Sequence, residues 1–345
     1  MKEMSIPATM RAVAIDRHGP SAVLKLRELP VPSLGPRDVL IAVHTAGVGL
    51  WDAKIREGSR ASGRERFPLV LGTDGAGFVA AKGARVRRFD IGDRVFAYQP
   101  KNSKGGFYAE YVAIDDRNVC RAPQRLDWLE AGAAASTALA ALKGIDEILR
   151  VRKGETVLVF GASGGVGTLA VQFACRRGAR VIASASCRDA AVLLRGLGAH
   201  EVVDVRSEGS ADRLRALAPG GIDAMLALAG GDALERCVDV LRRDGRIAYP
   251  NGVEPPRRRG ITKTAYDAIA GSREFARLER AIAEAHLRVP IAAIFPLAQA
   301  AKAHARRERD HVMGRIVLRI RRDIPPASAL ALAVEQSATS PPSGF

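Results

Sequence analysis

A glycine-rich turn in residues 157–167, VLVFGASGGVG, is the segment whose composition most directly indicates chemistry. It contains Ala162-x-Gly164-x-x-Gly167, which is the GxGxxG pattern with alanine in the first position. Gly164 would let backbone N–H groups approach a diphosphate, and Gly167 would let the next helix pack closely on the strand. The N-terminus of that helix would stabilise the anion. Because the turn follows an apolar strand and precedes an apolar helix, we interpret it as a dinucleotide-binding site.

The end of the next strand, SASCR, indicates which dinucleotide binds. An NAD site usually has an acidic residue about 20 residues beyond the glycines, where it binds the ribose 2′-hydroxyl. This strand ends instead with Ser184, Ser186 and Arg188, and no acidic residue precedes Asp189. The hydroxyls can donate to a 2′-phosphate and the guanidinium can pair with it. We therefore expect NADPH rather than NADH; the alternative is that Arg188 is only the exposed start of a helix.

The periodicity of the chain predicts two domains that would position these residues. Between about residues 154 and 251, the strands VLVF, RVIASA, EVVDV, DAMLALAG and RIAYP alternate with helical segments, including ALERCVDVLRR. This order predicts an α/β fold with a doubly wound parallel sheet. Short strands separated by Gly and Pro precede residue 125, and the last strand, GRIVLRI, is similar to them. The predicted boundaries are a first catalytic part over 1–128, a nucleotide-binding domain over 129–265, a return to the catalytic domain over 266–323, and a disordered tail over 324–345.

The length, charge and composition of the chain argue against several classes of protein. The chain has 345 residues and 47% hydrophobic residues, as two globular domains would. Neither a signal peptide nor an apolar run of about 20 residues occurs, which predicts a soluble, cytoplasmic protein. The net charge of +16 favours a phosphorylated partner, but 5% aromatic content argues against nucleic acid as that partner. Four cysteines without a CxxC pair argue against a zinc ribbon or a disulfide framework.

Several motifs together resemble one family. They are AGVGLWDAKIREG, FPLVLGTDGAGFV, VRRFDIGDRVFA, GGFYAEYVAI, GETVLVFGASGGVGTLAVQFA, GAHEVVD and MGRIVLRI, and the resemblance spans roughly residues 10–322. This pattern resembles the zinc-free quinone oxidoreductase (ζ-crystallin-like) branch of the medium-chain dehydrogenase/reductase superfamily. The resemblance implies a GroES-like β-barrel catalytic domain, a Rossmann domain, a return of the chain to the first domain, and a homodimer.

The resemblance also bears on metal. Zinc alcohol dehydrogenases of the superfamily carry a cysteine and a Gly-His-Glu where this chain has Gly49 and Thr73, so we expect no metal. An alcohol substrate needs a metal or an activated Tyr/Lys pair to hold the developing alkoxide, and no Tyr-x-x-x-Lys occurs. A quinone or an α,β-unsaturated carbonyl delocalises the incoming charge itself. We therefore predict an NADPH-dependent oxidoreductase of such acceptors; the alternatives are an enoyl-thioester reductase or an NADPH-binding protein with little turnover, acting as a redox sensor or nucleic-acid binder.

Site residues are carried over from the resemblance by position. Many relatives have asparagine where this chain has Gly49, which leaves the identity of the substrate open. The expected catalytic residues are Trp51, Asp52, Tyr98 and Thr137, of which Thr137 matches a family threonine near the nicotinamide. The expected cofactor-binding residues are Ala162, Ser163, Gly164, Gly165 and Val166 for the diphosphate, Ser184, Ser186 and Arg188 for the 2′-phosphate, and Ala229, Asn251, Gly252 and Val253 for the nicotinamide.

Overall fold

The structure, a computed structural model, describes residues 6–59, 66–101 and 103–321. The predicted disordered tail, 324–345, lies outside the described residues. The first part of the chain is mostly strand and contains β1 (Thr9–Ile15), β2 (Lys25–Pro30), β3 (Asp38–Val48), α1 (Leu50–Glu57), β4 (Leu69–Val70), β5 (Asp74–Lys82), β6 (Arg94–Tyr98), β7 (Tyr111–Asp115) and β8 (Val119–Arg121).

Helices and strands alternate in the rest of the chain. This part contains α2 (Trp128–Leu142), β9 (Thr156–Phe160), α3 (Gly165–Arg176), β10 (Arg180–Ser184), α4 (Arg188–Gly196), β11 (Glu201–Val203), α5 (Ser210–Leu217), β12 (Ile222–Ala227), α6 (Asp232–Val238), β13 (Leu241–Pro250), β14 (Thr262–Tyr266), α7 (Ser272–Ala285), β15 (Ile291–Pro296), α8 (Ala300–Arg309) and β16 (Arg315–Arg319).

A six-stranded parallel sheet forms the core of the second domain. Its strand order is β11-β10-β9-β12-β13-β14, and all neighbouring strands are parallel. The chain adds strands on one side of β9 as far as β11 and then on the other side from β12, so the topological switch point lies between β9 and β12. Val157, Leu158 and Val159 in β9 are fully buried, because helices cover both faces of the sheet. This arrangement confirms the predicted doubly wound sheet. It also gathers the carboxyl ends of the strands at one edge, where α/β proteins bind their ligands.

The first domain contains a seven-stranded sheet of order β15-β16-β3-β5-β6-β8, with β7 also paired to β3, and a three-stranded sheet of order β2-β1-β4. Strand β3 is eleven residues long and has irregular register at Leu40/Ile41 and Val43/Thr45. Such irregularities bend a strand, which lets β3 pair with β5, β7 and β16 along its length. The final strand β16 therefore lies antiparallel to β3 and brings the C-terminal part of the described chain back to the first domain.

The segment ALERCVDVLRR differs from its predicted helix. Helix α6 ends at Val238, and Leu241 already begins β13. Leu241 pairs with Ile222 in the parallel sheet and packs against the buried cluster below it. Tertiary pairing and burial here outweigh the local preference of the leucine and arginines for helix.

Gly167→Ala should destabilise the fold, because a Cβ at this position would lie 2.4 Å from the Gly161 carbonyl oxygen and 2.6 Å from the Ala162 oxygen. We expect a loss of about 1–3 kcal/mol in the free energy of unfolding, measured with urea. Gly196→Ala in α4 is the matched control, since its Cβ would meet nothing within 4 Å, and it should gain about 0.5 kcal/mol. Equal stability of the two variants would show that α3 does not need this close approach.

Candidate functional site

A cleft of about 400 Å³ lies between the two sheets, and it collects many of the predicted site residues. A larger surface hollow, of about 760 Å³, lies by β15 and the end of β16 and contains none of them. The predicted residues that line the cleft are Trp51, Tyr98, Thr137, Gly165, Val166, Asn251, Gly252 and Val253. The predicted residues that do not line it are Asp52, Ala162, Ser163, Gly164, Ser184, Ser186, Arg188 and Ala229.

The glycine turn is built for a close approach of an anion. Gly161 ends β9 with φ +79°, a left-handed conformation that favours glycine. Gly164 is the N-cap of α3 and makes no side-chain cap, so the first amides of the helix have no side-chain acceptor there. These amides and the helix dipole are the elements that bind phosphate at such turns. Ala229 is exposed and lies across from Gly161, whose Cβ would be 3.6 Å from that of Ala229.

Two predicted serines hold this turn from inside the protein. The Gly161 N–H donates to Ser184 Oγ at 2.8 Å, and the Ser184 side chain is buried. Ser163 Oγ is 2.9 Å from His311 Nε2, and Ser163 is also buried. In this structure Ser184 therefore contacts the turn rather than an open 2′-phosphate position. Its role is to fix the turn relative to β10.

Ser186 and Arg188 lie beyond the end of β10, beside the glycine turn. Ser186 is half-buried and Arg188 is exposed. Arg188 is the first residue of α4, whose N-cap Cys187 makes no side-chain hydrogen bond to the helix. Arg188 forms no ion pair with any other residue that the structure describes. The guanidinium and the first amides of α4 are thus available for an anion at this edge of the sheet.

The floor of the cleft holds a buried ion pair that the sequence analysis missed. Arg315 Nη2 lies 3.0 Å and 3.1 Å from the two carboxylate oxygens of Asp74, and Arg315 Nε donates to the Ala133 carbonyl at 3.1 Å. The Ser136 amide donates to the same carboxylate at 3.2 Å. The sequence feature that could have indicated this pair is Arg315 itself, because it begins β16, a strand whose next three residues are all apolar.

Asp52 lies behind the cleft, which argues against its predicted catalytic role. It is 1% exposed, and its carboxylate accepts from the Gly49 N–H at 2.8 Å and from the Thr73 N–H at 3.0 Å. Burial, followed by the charge of Asp74, raises the pKa of Asp52 to about 6. Asp52 therefore joins the start of α1 to the segment before β5, and it is not among the residues that line the cleft.

Side chains of three other predicted residues face the cleft. Thr137 Oγ1 donates to the Ala133 carbonyl at 2.9 Å, and Tyr98 is 7% exposed. Burial, followed by the charges of Asp74 and Asp52, raises the pKa of Tyr98 well above its usual value, so its phenol stays protonated. Asn251 Nδ2 donates to Asp267 Oδ2 at 2.5 Å, and these two residues follow the neighbouring strands β13 and β14 of the parallel sheet. The cleft thus offers hydroxyl and amide groups from both domains.

No group of three His, Cys, Asp or Glu residues suited to a metal ion occurs in the described ranges. Across those same ranges, no helix is long and apolar enough to cross a membrane.

The second domain has a parallel sheet with a glycine turn at its switch point, and it shares a cleft with a mainly antiparallel first domain. These features define a two-domain NAD(P)-dependent oxidoreductase. Residues 35–124 match the alcohol dehydrogenase GroES-like domain, and residues 197–318 match the zinc-binding dehydrogenase family. The chain belongs to the medium-chain dehydrogenase/reductase superfamily, together with its quinone oxidoreductases. This confirms the family and the fold expected from the sequence.

The relatives cover most of the chain. Quinone oxidoreductase of Lama guanicoe is 32% identical over 312 residues, which are 86% of this chain and 92% of that protein. The human quinone oxidoreductase is 33% identical over 240 residues, which are 69% of this chain and 72% of that protein. The solved quinone oxidoreductase of Coxiella burnetii is 30% identical with a TM-score of 0.81, covering 91% of this chain and 100% of that chain. A mycobacterial protein solved in complex with NADPH is 27% identical with a TM-score of 0.79, covering 90% of this chain and 100% of that chain.

Asp52→Asn should change how stability depends on pH. The folded state raises the pKa of Asp52 from 3.8 to about 6, so between these values the folded state keeps a proton that the unfolded chain loses. Stability contributed by this group is therefore present below pH 4 and falls by about 3 kcal/mol as the pH rises through 6. In the asparagine variant this fall should be absent from urea-unfolding curves taken between pH 4 and 7.

Asp212→Asn, at a largely exposed position, is the control and should keep the pH dependence of the parent chain. If the free energy of unfolding of Asp52→Asn fell with pH as steeply as that of the parent chain, the raised pKa of Asp52 would not be the cause, whatever the absolute stability of that variant.

Proposed function

We propose that the chain is an NADPH-dependent, metal-independent reductase of quinones or α,β-unsaturated carbonyls. The observation that carries the choice of nucleotide is the end of β10, where Arg188 has no ion-pair partner among the described residues and no carboxylate replaces it. A ribose 2′-hydroxyl would lack its usual acidic partner there, whereas a 2′-phosphate would gain a charge-assisted hydrogen bond. The mycobacterial neighbour in complex with NADPH supports the same choice.

The side chains at the two positions of the zinc ligands support a quinone or an α,β-unsaturated carbonyl as the acceptor. Gly49 and Thr73 stand where zinc enzymes of the superfamily have ligands, and neither side chain supplies a thiolate or an imidazole. Asp52 binds the backbone of both positions, which closes that part of the site with hydrogen bonds. An acceptor that delocalises charge fits a site of this kind, and the quinone oxidoreductase relatives agree with it.

The residues that line the cleft can be given roles in this reaction. NADPH would supply a hydride when bound to the turn and to the edge of the parallel sheet. Thr137 and residues 251–253 would hold the nicotinamide end, and Trp51 would form a wall against a flat acceptor. The protonated phenol of Tyr98 can donate a hydrogen bond to the oxygen on which negative charge develops. Because burial and the nearby carboxylates make this phenol a very weak acid, the balancing proton would come from water. Catalysis would then consist mainly of orientation.

Reduction of an enoyl thioester is the second candidate, because a thioester-conjugated double bond accepts hydride in the same way. An enoyl reductase, CurK, shares the fold with a TM-score of 0.80, at 20% identity. An NADPH-binding protein with little turnover remains the third hypothesis, since Gly49 lacks the side chain that many relatives have. The cytoplasmic location and the homodimer remain predictions.

An acceptor screen tests the proposed reaction. With NADPH, 1,4-benzoquinone or phenanthrenequinone should be reduced rapidly and crotonyl-CoA should not, as followed by loss of NADPH absorbance. The rate should be unchanged by EDTA, because the described residues include no group of three His, Cys, Asp or Glu suited to a metal ion. Reduction of crotonyl-CoA alone would favour the thioester reaction. Tight binding of NADPH without oxidation by any acceptor would exclude both enzymatic functions.

Arg188→Ala should weaken the binding of NADPH much more than the binding of NADH. A charge-assisted hydrogen bond contributes about 1.5–3 kcal/mol, so the KM for NADPH should rise roughly 10- to 100-fold while that for NADH stays nearly constant. Arg195→Ala, an exposed arginine of the same helix, is the matched control and should leave both KM values unchanged. Equal effects of Arg188→Ala on the two nucleotides would refute the assignment to the 2′-phosphate.

A further inference from the structure

Arg307, near the end of α8, is a cation in the cleft that neither the family motifs nor the predicted site include. Its side chain lines the cleft together with Gly165, Gly314 and Arg315. It is half-buried, whereas Arg306 and Arg309 on the same helix are exposed. Within the described ranges, Arg307 has no ion-pair or hydrogen-bond partner for its guanidinium. It therefore differs from Arg315, whose charge Asp74 compensates.

This arrangement is electrostatically unfavourable in the protein alone. Burial lowers the pKa of Arg307, and the positive charge of Arg315 lowers it further. A partly desolvated cation without a counter-charge costs free energy, and a bound anion would offset that cost. The position thus favours a negatively charged ligand in the cleft.

The segment that follows α8 is fastened to the glycine turn, which places Arg307 next to it. The Gly314 N–H donates to the Ser163 carbonyl at 2.8 Å, and Ser163 Oγ is 2.9 Å from His311 Nε2. A Cβ on Gly165, the first residue of α3, would lie 2.6 Å from Arg315 Cδ. Burial, followed by the positive charges of Arg206 and Arg307, lowers the pKa of His311. Arg307 therefore places an uncompensated positive charge beside the turn.

We propose that Arg307 binds the diphosphate of the dinucleotide. This inference rests on the proposed function for the identity of the ligand. The amides at the start of α3 would bind the diphosphate from the parallel-sheet side, and the guanidinium of α8 would pair with it from the other side. Because a guanidinium presents several N–H donors in one plane, it can bind two phosphate oxygens at once. The cofactor site is then shared between the two domains.

Arg307→Gln tests this assignment by its effect on nucleotide binding, measured as Kd from fluorescence titration without any acceptor. The diphosphate is common to both nucleotides, so Kd should rise roughly 10- to 100-fold for NADPH and by the same factor for NADH. Arg188→Ala should affect NADPH alone, which separates the two anion sites. Inorganic pyrophosphate should compete with NADH for the parent chain and much less for Arg307→Gln. Arg306→Gln removes the same charge from an exposed neighbour and should change none of these values.

The alternative source of an anion is the acceptor. If Arg307→Gln leaves both Kd values unchanged and raises only the KM of a carboxylated quinone, Arg307 binds the substrate and the proposal is wrong. Unchanged values throughout would also overturn it. Arg307→Lys keeps the charge, so partial recovery of both Kd values would show that the loss does not come from misfolding. The Kd measurements need no turnover, so they decide whether Arg307 binds the nucleotide even if no acceptor is reduced.

Discussion

The buried ion pair between Arg315 and Asp74 holds together the part of the molecule on which the site depends. It connects β16, β5 and α2, because Arg315 also donates to Ala133 and Asp74 accepts from Ser136. Gly47 is required beside it, since a Cβ there would lie 2.1 Å from Arg315 Nη2 and 2.5 Å from Asp74 Oδ1. Removing one partner of such a pair costs about 3–5 kcal/mol, because the other charge stays buried.

The Arg315–Asp74 pair also affects Asp52, a second buried carboxylate close to it. Burial is the main reason why the pKa of Asp52 is raised, and the negative charge of Asp74 raises it further, while the positive charge of Arg315, which pairs with Asp74, lowers it in part. Asp52 is stabilised instead by the N–H groups of Gly49 and Thr73. A carboxylate that holds two backbone amides fixes the cleft wall, but it offers nothing to a substrate oxygen. In the proposed reaction, stabilisation of charge would then come from the acceptor itself and from neutral donors such as Tyr98.

Sequence patterns were informative where the determinants are local. The glycine turn and the alternation of strands and helices follow from neighbouring residues, and both are present in the structure. The boundary between α6 and β13 was predicted wrongly because the pairing of Leu241 with Ile222 is a tertiary contact. The role of Ser184 depends on a hydrogen bond to Gly161 across two strands. Arg315 and Arg307 were missed because their partners and neighbours lie far away in the chain.

Segments of both domains meet at the glycine turn, and they contribute to nucleotide binding in different ways. The end of β10 belongs to the parallel sheet alone, so on the proposed function the choice between the two nucleotides would be made within one domain. The turn itself is braced by residues 311–315 of the returning chain, through His311 and the Gly314 amide. On the proposed function, a ligand that binds such a shared site would stabilise the arrangement of both domains by an amount that grows with the logarithm of its affinity. Gly314 and Arg315 of the same short segment also line the cleft, so a bound cofactor would help to hold that wall of the cleft in place.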